Sequence, residues 1–176
     1  MRVIAGEFRS RRLKTMPGLE TRPTPDRLRE ALFNVLAPRI ADSVFLDGYA
    51  GTGAVGIEAL SRGARRCIFV EKSRGAVEII RDNLTALGIG DRAEVFTGKA
   101  SAVLERLKAD MVFLDPPYER AEEYEMAMLA ADRGGDEFVI VQHESRMELK
   151  AEYGGLRRYR VLKQGNNSLS FYDRRT

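Results

Sequence analysis

Cysteine and histidine are nearly absent from this 176-residue chain, which has only Cys67 and His143. One thiol closes no intramolecular disulfide, and one thiol with one imidazole cannot build a Cys/His zinc cluster, so disulfide scaffolding and structural zinc are excluded. Long apolar runs are missing too. The longest, such as Phe138 to Val141, fall far short of the roughly 20 residues that cross a bilayer, and the N-terminus lacks a signal-peptide core. A cytoplasmic chain without a membrane partner is the expectation. Hydrophobic residues at 44% and charged residues at 31% exclude the composition of disorder. There is no internal repeat or low-complexity segment, and the length suits one domain able to bury its own core.

Charge is present, and its placement says more than its sum of +3. Residues 1–43 carry 9 basic and 5 acidic side chains, residues 44–143 carry 12 and 17, and residues 144–176 carry 8 and 4, so two basic ends flank an acidic middle. Arg2, Arg9, Arg11, Arg12 and Lys14 form the denser basic stretch, and Arg157, Arg158 and Arg160 a second. Either can neutralise phosphates of a polyanion; short basic runs are also common on faces that bind nothing.

From Val44 onward, short β-rich runs alternate with helical patterns, the signature of βα units in a doubly wound, mostly parallel α/β sheet. The pattern predicts strands at Val44 to Asp47, Cys67 to Glu71, Ala93 to Thr97, Met111 to Leu114 and Phe138 to His143. It predicts helices at Ala54 to Arg62, Arg74 to Leu87, Ser101 to Lys108 and Arg120 to Ala131. Leu156 to Leu162 and Ser168 to Tyr172, around the turn residues Gly165, Asn166 and Asn167, add a terminal hairpin and bring the sheet to seven strands. Residues 1–43 read as an extension on the domain of residues 44–176. Arg2 to Ala5 and Arg11 to Lys14 pair as a small basic hairpin around Gly6, followed by a helix with Thr24 as N-cap, Pro25 in its first turn and a stop at Pro38.

Two segments carry chemistry. After the first strand comes Asp47-Gly48-Tyr49-Ala50-Gly51-Thr52-Gly53-Ala54-Val55-Gly56, a glycine-rich turn opening a helix, with Glu71 at the end of the second strand. The glycines admit close backbone approach, and a carboxylate at Glu71 can accept from ribose hydroxyls, so a nucleoside-bearing ligand is implied. Asp47 would repel a pyrophosphate and suits a cationic amino-acid moiety, which favours S-adenosylmethionine over NAD. The fourth strand ends in Asp115-Pro116-Pro117-Tyr118, at the sheet edge where open α/β folds bind ligands. Methylating a base amine requires its lone pair to point at the departing methyl group. The Asp115 carboxylate and Pro116 carbonyl can accept the two N–H bonds, the prolines stiffen the turn, and Tyr118 offers a ring for stacking. The bland alternatives are a structural tight turn and a strand terminator.

At these residues the chain resembles class I methyltransferases, and more narrowly the RsmD family. The narrower likeness rests on Arg2-Val3-Ile4-Ala5-Gly6, the block from Thr21 to Asn34, the Asp-Pro-Pro-Tyr turn, and Asn167-Ser168-Leu169-Ser170-Phe171-Tyr172. The resemblance implies a Rossmann-like fold with an antiparallel terminal strand. It also implies transfer of a methyl group from S-adenosylmethionine to the N2 amine of a guanine, guanine 966, in 16S rRNA of the small ribosomal subunit, by a metal-free monomer. By the same resemblance Asp47, Tyr49, Gly51, Thr52 and Gly53 line the methionine and ribose part of the cofactor, and Glu71 with Lys72 holds the ribose. Arg22 and Thr24 close over the site, and Asp115, Pro116, Pro117 and Tyr118 hold the guanine. Lys99 stands where the family often has an acid for the adenine amine; it cannot accept that bond, which leaves two readings, adenine recognition by the backbone of Ala100 or a cofactor affinity weaker than is usual for the family.

His143 and Cys67 read as structural, and Phe33 is as readily core as site wall. Competing functions are DNA adenine-N6 methylation, protein glutamine methylation, an NAD-dependent oxidoreductase, which leaves the Asp115 turn without a task, and a non-catalytic RNA-binding assembly factor.

Overall fold

The computed structural model describes residues 1–17 and 25–174. Its helices are α1 (Asp26–Ile40), α2 (Ala54–Ser61), α3 (Arg74–Leu87), α4 (Ala100–Leu104) and α5 (Ala121–Gly134). Its strands are β1 (Val44–Asp47), β2 (Arg66–Glu71), β3 (Ala93–Thr97), β4 (Met111–Leu114), β5 (Phe138–Glu144), β6 (Glu152–Tyr153), β7 (Leu156–Gln164) and β8 (Asn167–Asp173). They form one sheet in the order β3-β2-β1-β4-β5-β8-β7-β6. The first five run parallel and the last three antiparallel. The chain leaves β1 toward β2 on one side and meets β4 on the other, so the strand order reverses between β1 and β4, and ligands of such sheets bind in the crevice at that point.

Each face of the sheet carries its own core, because the strand period of two sends alternate side chains to opposite sides. Phe45, Phe69, Phe113, Ile140 and Phe171 pack with α1, α2 and α3 on one side. Leu46, Val70, Leu114, Val141 and Tyr172 pack with α4 and α5 on the other. Helix α2 sits so close to the sheet that a Cβ at Gly56 would lie 2.3 Å from Phe69 Cε1; the last glycine of the loop is there to let helix and strand touch.

The N-terminal arm shares the first core through Val3, Phe8 and Leu13. Its expected hairpin forms but is short: Arg2 and Arg12 bridge antiparallel, flanked by bonds from the Val3 amide to the Arg11 carbonyl (3.0 Å) and from the Leu13 amide to the Met1 carbonyl (2.9 Å). The reason is competition from α2: Glu58 accepts from the amides of Ile4 (2.8 Å) and Ala5 (3.1 Å), and Ser61 Oγ accepts from the amide of Phe8 (3.0 Å). Arg29 of α1, fully buried, donates to the Arg2 carbonyl at 2.7 Å and stands 3.8 Å from Glu58. One buried cation and one buried carboxylate thus pin the arm between α1 and α2; breaking such a pair typically costs about 3–5 kcal/mol.

Other boundaries move for local reasons. The sheet has eight strands among the described residues, not seven, because Glu152–Tyr153 adds a strand too short to show a period. Tyr153 anchors it edge-on to Tyr172, with ring centroids 5.7 Å apart. Helix α1 runs through Pro38 to Ile40; Ile40 is buried and its carbonyl accepts from Ser43 Oγ at 2.7 Å, which offsets the amide lost at the proline. Pro25, not Thr24, occupies the position before α1. Helix α4 starts one residue early and stops at Leu104.

Candidate active site

The glycine loop and the Asp115 turn meet at the point where the strand order reverses. Asp47 pairs in register with Phe113, the Gly48 amide donates to the Phe113 carbonyl at 2.9 Å, and a Cβ at Gly48 would fall 2.7 Å from Leu114 Cδ2 and 3.6 Å from the Ala100 methyl. Only glycine lets the loop lie this close to β4 and α4. Gly51 and Gly53 adopt left-handed φ of 57° and 88°, which turn the chain back into α2. Open space lies beside the Gly51 Cα.

The electrostatics of the loop centre on Asp47, which is 1% exposed. Its Oδ2 accepts from the Gly56 amide at 3.1 Å, and its Oδ1, equally buried, has no hydrogen-bond partner among the described residues. Burial pushes the carboxyl up to about 7 against the pull of the Gly56 amide, and the charges of Asp115 and Glu71 push in the same direction as burial. A cationic ligand group is the natural complement to that oxygen, and S-adenosylmethionine carries both an ammonium and a sulfonium. The donor set therefore fits this cofactor and opposes a pyrophosphate.

Glu71 clamps the loop: its oxygens accept from the Gly51 amide (2.8 Å) and the Ser73 amide (2.9 Å). Each oxygen keeps a second lone pair for a ribose hydroxyl. Tyr49 points to α5 and donates to Glu123 at 3.2 Å, and burial beside that carboxylate raises its phenol above its usual range. The Thr52 carbonyl accepts from Asn83 at 3.1 Å. Lys72 and Lys99 are exposed, and buried Ala100 opens α4 behind the loop.

In the second segment Pro116 is buried, while Asp115, Pro117 and Tyr118 are half-buried. The Pro116 carbonyl already accepts from the Tyr124 hydroxyl at 3.2 Å, so its second lone pair is the one left to accept an N–H bond. Tyr118 donates to Asn167 Oδ1 at 2.8 Å and accepts from Gln142 Nε2 at 3.4 Å. Its ring is therefore held from two strands. Tyr124, Gln142 and Asn167 escaped the reading of the sequence; Asn167 alone gave a signal, as part of the C-terminal motif.

The five basic arm residues are exposed, yet three are tied down. Arg2 donates to the Ser10 carbonyl, Arg11 to the Ala86 carbonyl, and Lys14 pairs with Asp82 at 3.0 Å. Arg9 and Arg12 make no such bond among the described residues. Arg22 and Thr24 lie outside the described residues. In the second basic run, Arg157 pairs with Glu152 at 3.1 Å and Arg160 lies over the Phe171 ring. His143 is buried with Nδ1 at 2.8 Å from the Glu144 carbonyl and Nε2 at 2.8 Å from Ser170 Oγ, a satisfied neutral imidazole joining β5 to β8. Cys67 is buried in β2, its thiol pushed up by burial, and Phe33 packs on Phe45 in the core.

Comparison with known proteins agrees with this geometry. A family described as Conserved hypothetical protein 95 matches residues 1–173. YlbH of Bacillus subtilis is 34% identical, with 99% of this chain and 100% of that one covered. Ribosomal RNA small subunit methyltransferase D of Escherichia coli strain K12 is 38% identical, over 84% of this chain and 76% of its own. The solved structure of yhhF from Escherichia coli superposes with a TM-score of 0.85 at 35% identity, covering 99% of this chain and 97% of that chain. The crevice, the family match and these relatives together place the chain in the RsmD family of class I methyltransferases.

Proposed function

We propose that this protein transfers a methyl group from S-adenosylmethionine to the N2 amine of a guanine, guanine 966, in 16S rRNA of the small ribosomal subunit. The observation that supports this most is a buried carboxylate oxygen on Asp47, without a partner among the described residues, beside the Asp115 turn where the strand order reverses. In this reading the enzyme acts as a monomer, with residues 1–43 as an RNA-gripping extension on the catalytic domain of residues 44–176.

When bound, the cofactor supplies an electrophilic methyl group on sulfur. Asp47 holds the cationic end, Tyr49, Gly51, Thr52 and Gly53 shape the floor, Glu71 with Lys72 holds the ribose, and the backbone at Ala100 meets the adenine. A guanine taken out of its stack lies on Tyr118, whose ring Asn167 and Gln142 hold in place. The Asp115 carboxylate accepts one N–H of the amine and the free lone pair of the Pro116 carbonyl accepts the other. The nitrogen lone pair is thereby turned out of the ring and toward the methyl. Positioning and fixed dipoles supply the rate, and the proton leaves the nitrogen late, when the forming bond has made it acidic.

The test is to supply radiolabelled methyl donor and this protein to small-subunit particles from a strain lacking the gene, then to map the label. Methylation of guanine N2 at one 16S position is expected. Label on adenine, on DNA or on protein would overturn the substrate assignment.

A further inference from the structure

Asn83 is a polar residue set into an apolar stripe. On α3 it shares a face with Ile80, Leu84 and Leu87, and it is 3% exposed. An amide buried there is destabilising unless it is paired, and this one is fully paired with backbone from two separate segments. Its Oδ1 accepts from the Lys14 amide at 2.7 Å, and its Nδ2 donates to the Lys14 carbonyl at 3.2 Å and to the Thr52 carbonyl at 3.1 Å. Lys14 belongs to the basic arm and Thr52 to the glycine loop. No other requirement of α3 calls for an amide at this position; a leucine would continue the stripe.

The neighbours strengthen the link. Arg11 reaches the Ala86 carbonyl and Lys14 pairs with Asp82, so the arm lies along α3. It reaches the start of that helix, where Met16 Cε would be 3.3 Å from a Cβ on Gly75. On the other side, the Thr52 carbonyl belongs to the peptide that precedes Gly53, a residue in the left-handed region at φ 88°. A peptide next to glycine rotates easily, and the bond from Asn83 fixes which way this one faces.

We propose that Asn83 is a positioning residue that couples RNA docking on the N-terminal arm to cofactor binding in the glycine loop, each ligand raising affinity for the other. This rests on the functional reading above, in which the arm holds RNA and the loop holds S-adenosylmethionine. A ligand that orders either segment orders Asn83, and through it the other segment, so the second ligand has less ordering left to accomplish. Linkage requires the same factor in both directions.

The test measures binding of S-adenosylhomocysteine by calorimetry with and without a 16S rRNA transcript, and binding of the transcript with and without saturating S-adenosylhomocysteine. In the wild-type chain each ligand is expected to tighten the other by about fivefold or more. Asn83→Leu removes all three bonds and should bring both factors to about one, while affinity for each ligand alone changes less than the coupling does. Asn83→Asp keeps the acceptor for the Lys14 amide but turns a carboxylate toward both the Lys14 and the Thr52 carbonyls. It should also lose the coupling while it leaves the apolar packing of α3 nearly unchanged. Independent binding of the two ligands in the wild type overturns the proposal, as does full coupling in either variant; the wild type and Asn83→Asp decide the matter if Asn83→Leu fails to fold. A wild-type chain that binds neither ligand overturns the functional reading itself, which separates the two failures.

Discussion

Replacing Asp47 with Asn should abolish a specific loss of stability that accompanies a rise of pH from weakly acid to neutral. Asp47 is raised from 3.8 to about 7 in the folded chain, chiefly by burial. The native state therefore holds a proton that the unfolded chain has released, and stability falls as pH rises through the window from about 4 to about 7. For these two values, linkage gives a loss of about 2.5 kcal/mol between about pH 5 and pH 8 from this group alone. Other groups titrate in the same range. Asp136, raised to about 6 by burial, adds a loss of the same sign, while His143, lowered by burial, contributes stability that grows as pH rises toward its unfolded value. Both are unchanged in Asp47→Asn, so the difference between the two proteins isolates Asp47. Asn retains an acceptor for the Gly56 amide and carries no titratable proton. Urea unfolding of the ligand-free proteins at four pH values between 5 and 8 measures the difference. Relative to wild type, Asn should gain about 2 to 3 kcal/mol across that range. Parallel pH profiles for the two proteins would refute the reasoning. The same shift predicts that binding of a cationic cofactor beside Asp47 releases a proton near pH 6, visible as a buffer-dependent heat that Asp47→Asn lacks.

Three further outcomes follow from the site. Asp115→Ala should lower methyl transfer by roughly 100-fold or more, because an acceptor for the target amine is lost, while S-adenosylhomocysteine binds within a few-fold of wild type; unaltered turnover would remove Asp115 from its role. Tyr118→Phe keeps the stacking surface and loses the bonds to Asn167 and Gln142, so kcat should drop by about tenfold, the worth of about one hydrogen bond, with Asn167→Ala showing a drop of similar size. Replacing Arg9 and Arg12 together with Gln should reduce the slope of log affinity for rRNA against log salt by about two. Replacing Arg11 and Lys14 should reduce it less, since both are already engaged along α3.

Where the sequence was legible, the signal was contiguous. Strands β1, β3 and β4 and helix α3 end at the residues that their periodicity and flanking turns predict, and the glycine loop and the Asp115 turn announced themselves by spacing. One tendency misled: Pro38 reads as a helix stop but is overridden by burial of Ile40. The arm pairs Arg2 with Arg12 as its sequence suggests, and α2 shortens the hairpin by taking the amides of Ile4, Ala5 and Phe8. The short strand Glu152–Tyr153 has no pattern to read. Asn83 left a trace, a polar residue inside an apolar stripe, whose meaning depends on what faces it.

By itself the sequence determined the alternation of strands and helices, the glycine turn, the acidic strand ends and the basic termini, because each is encoded by residues within a turn or a strand of one another. Tertiary structure alone decided that Asp47 keeps a buried oxygen without a partner among the described residues, that Tyr124 occupies half of the Pro116 carbonyl, and that the Asn83 amide joins the glycine loop to the arm, whose Lys14 lies 69 positions away in the chain. Burial and pairing are properties of what the fold brings together in space, and local propensity carries no record of a partner so distant along the chain.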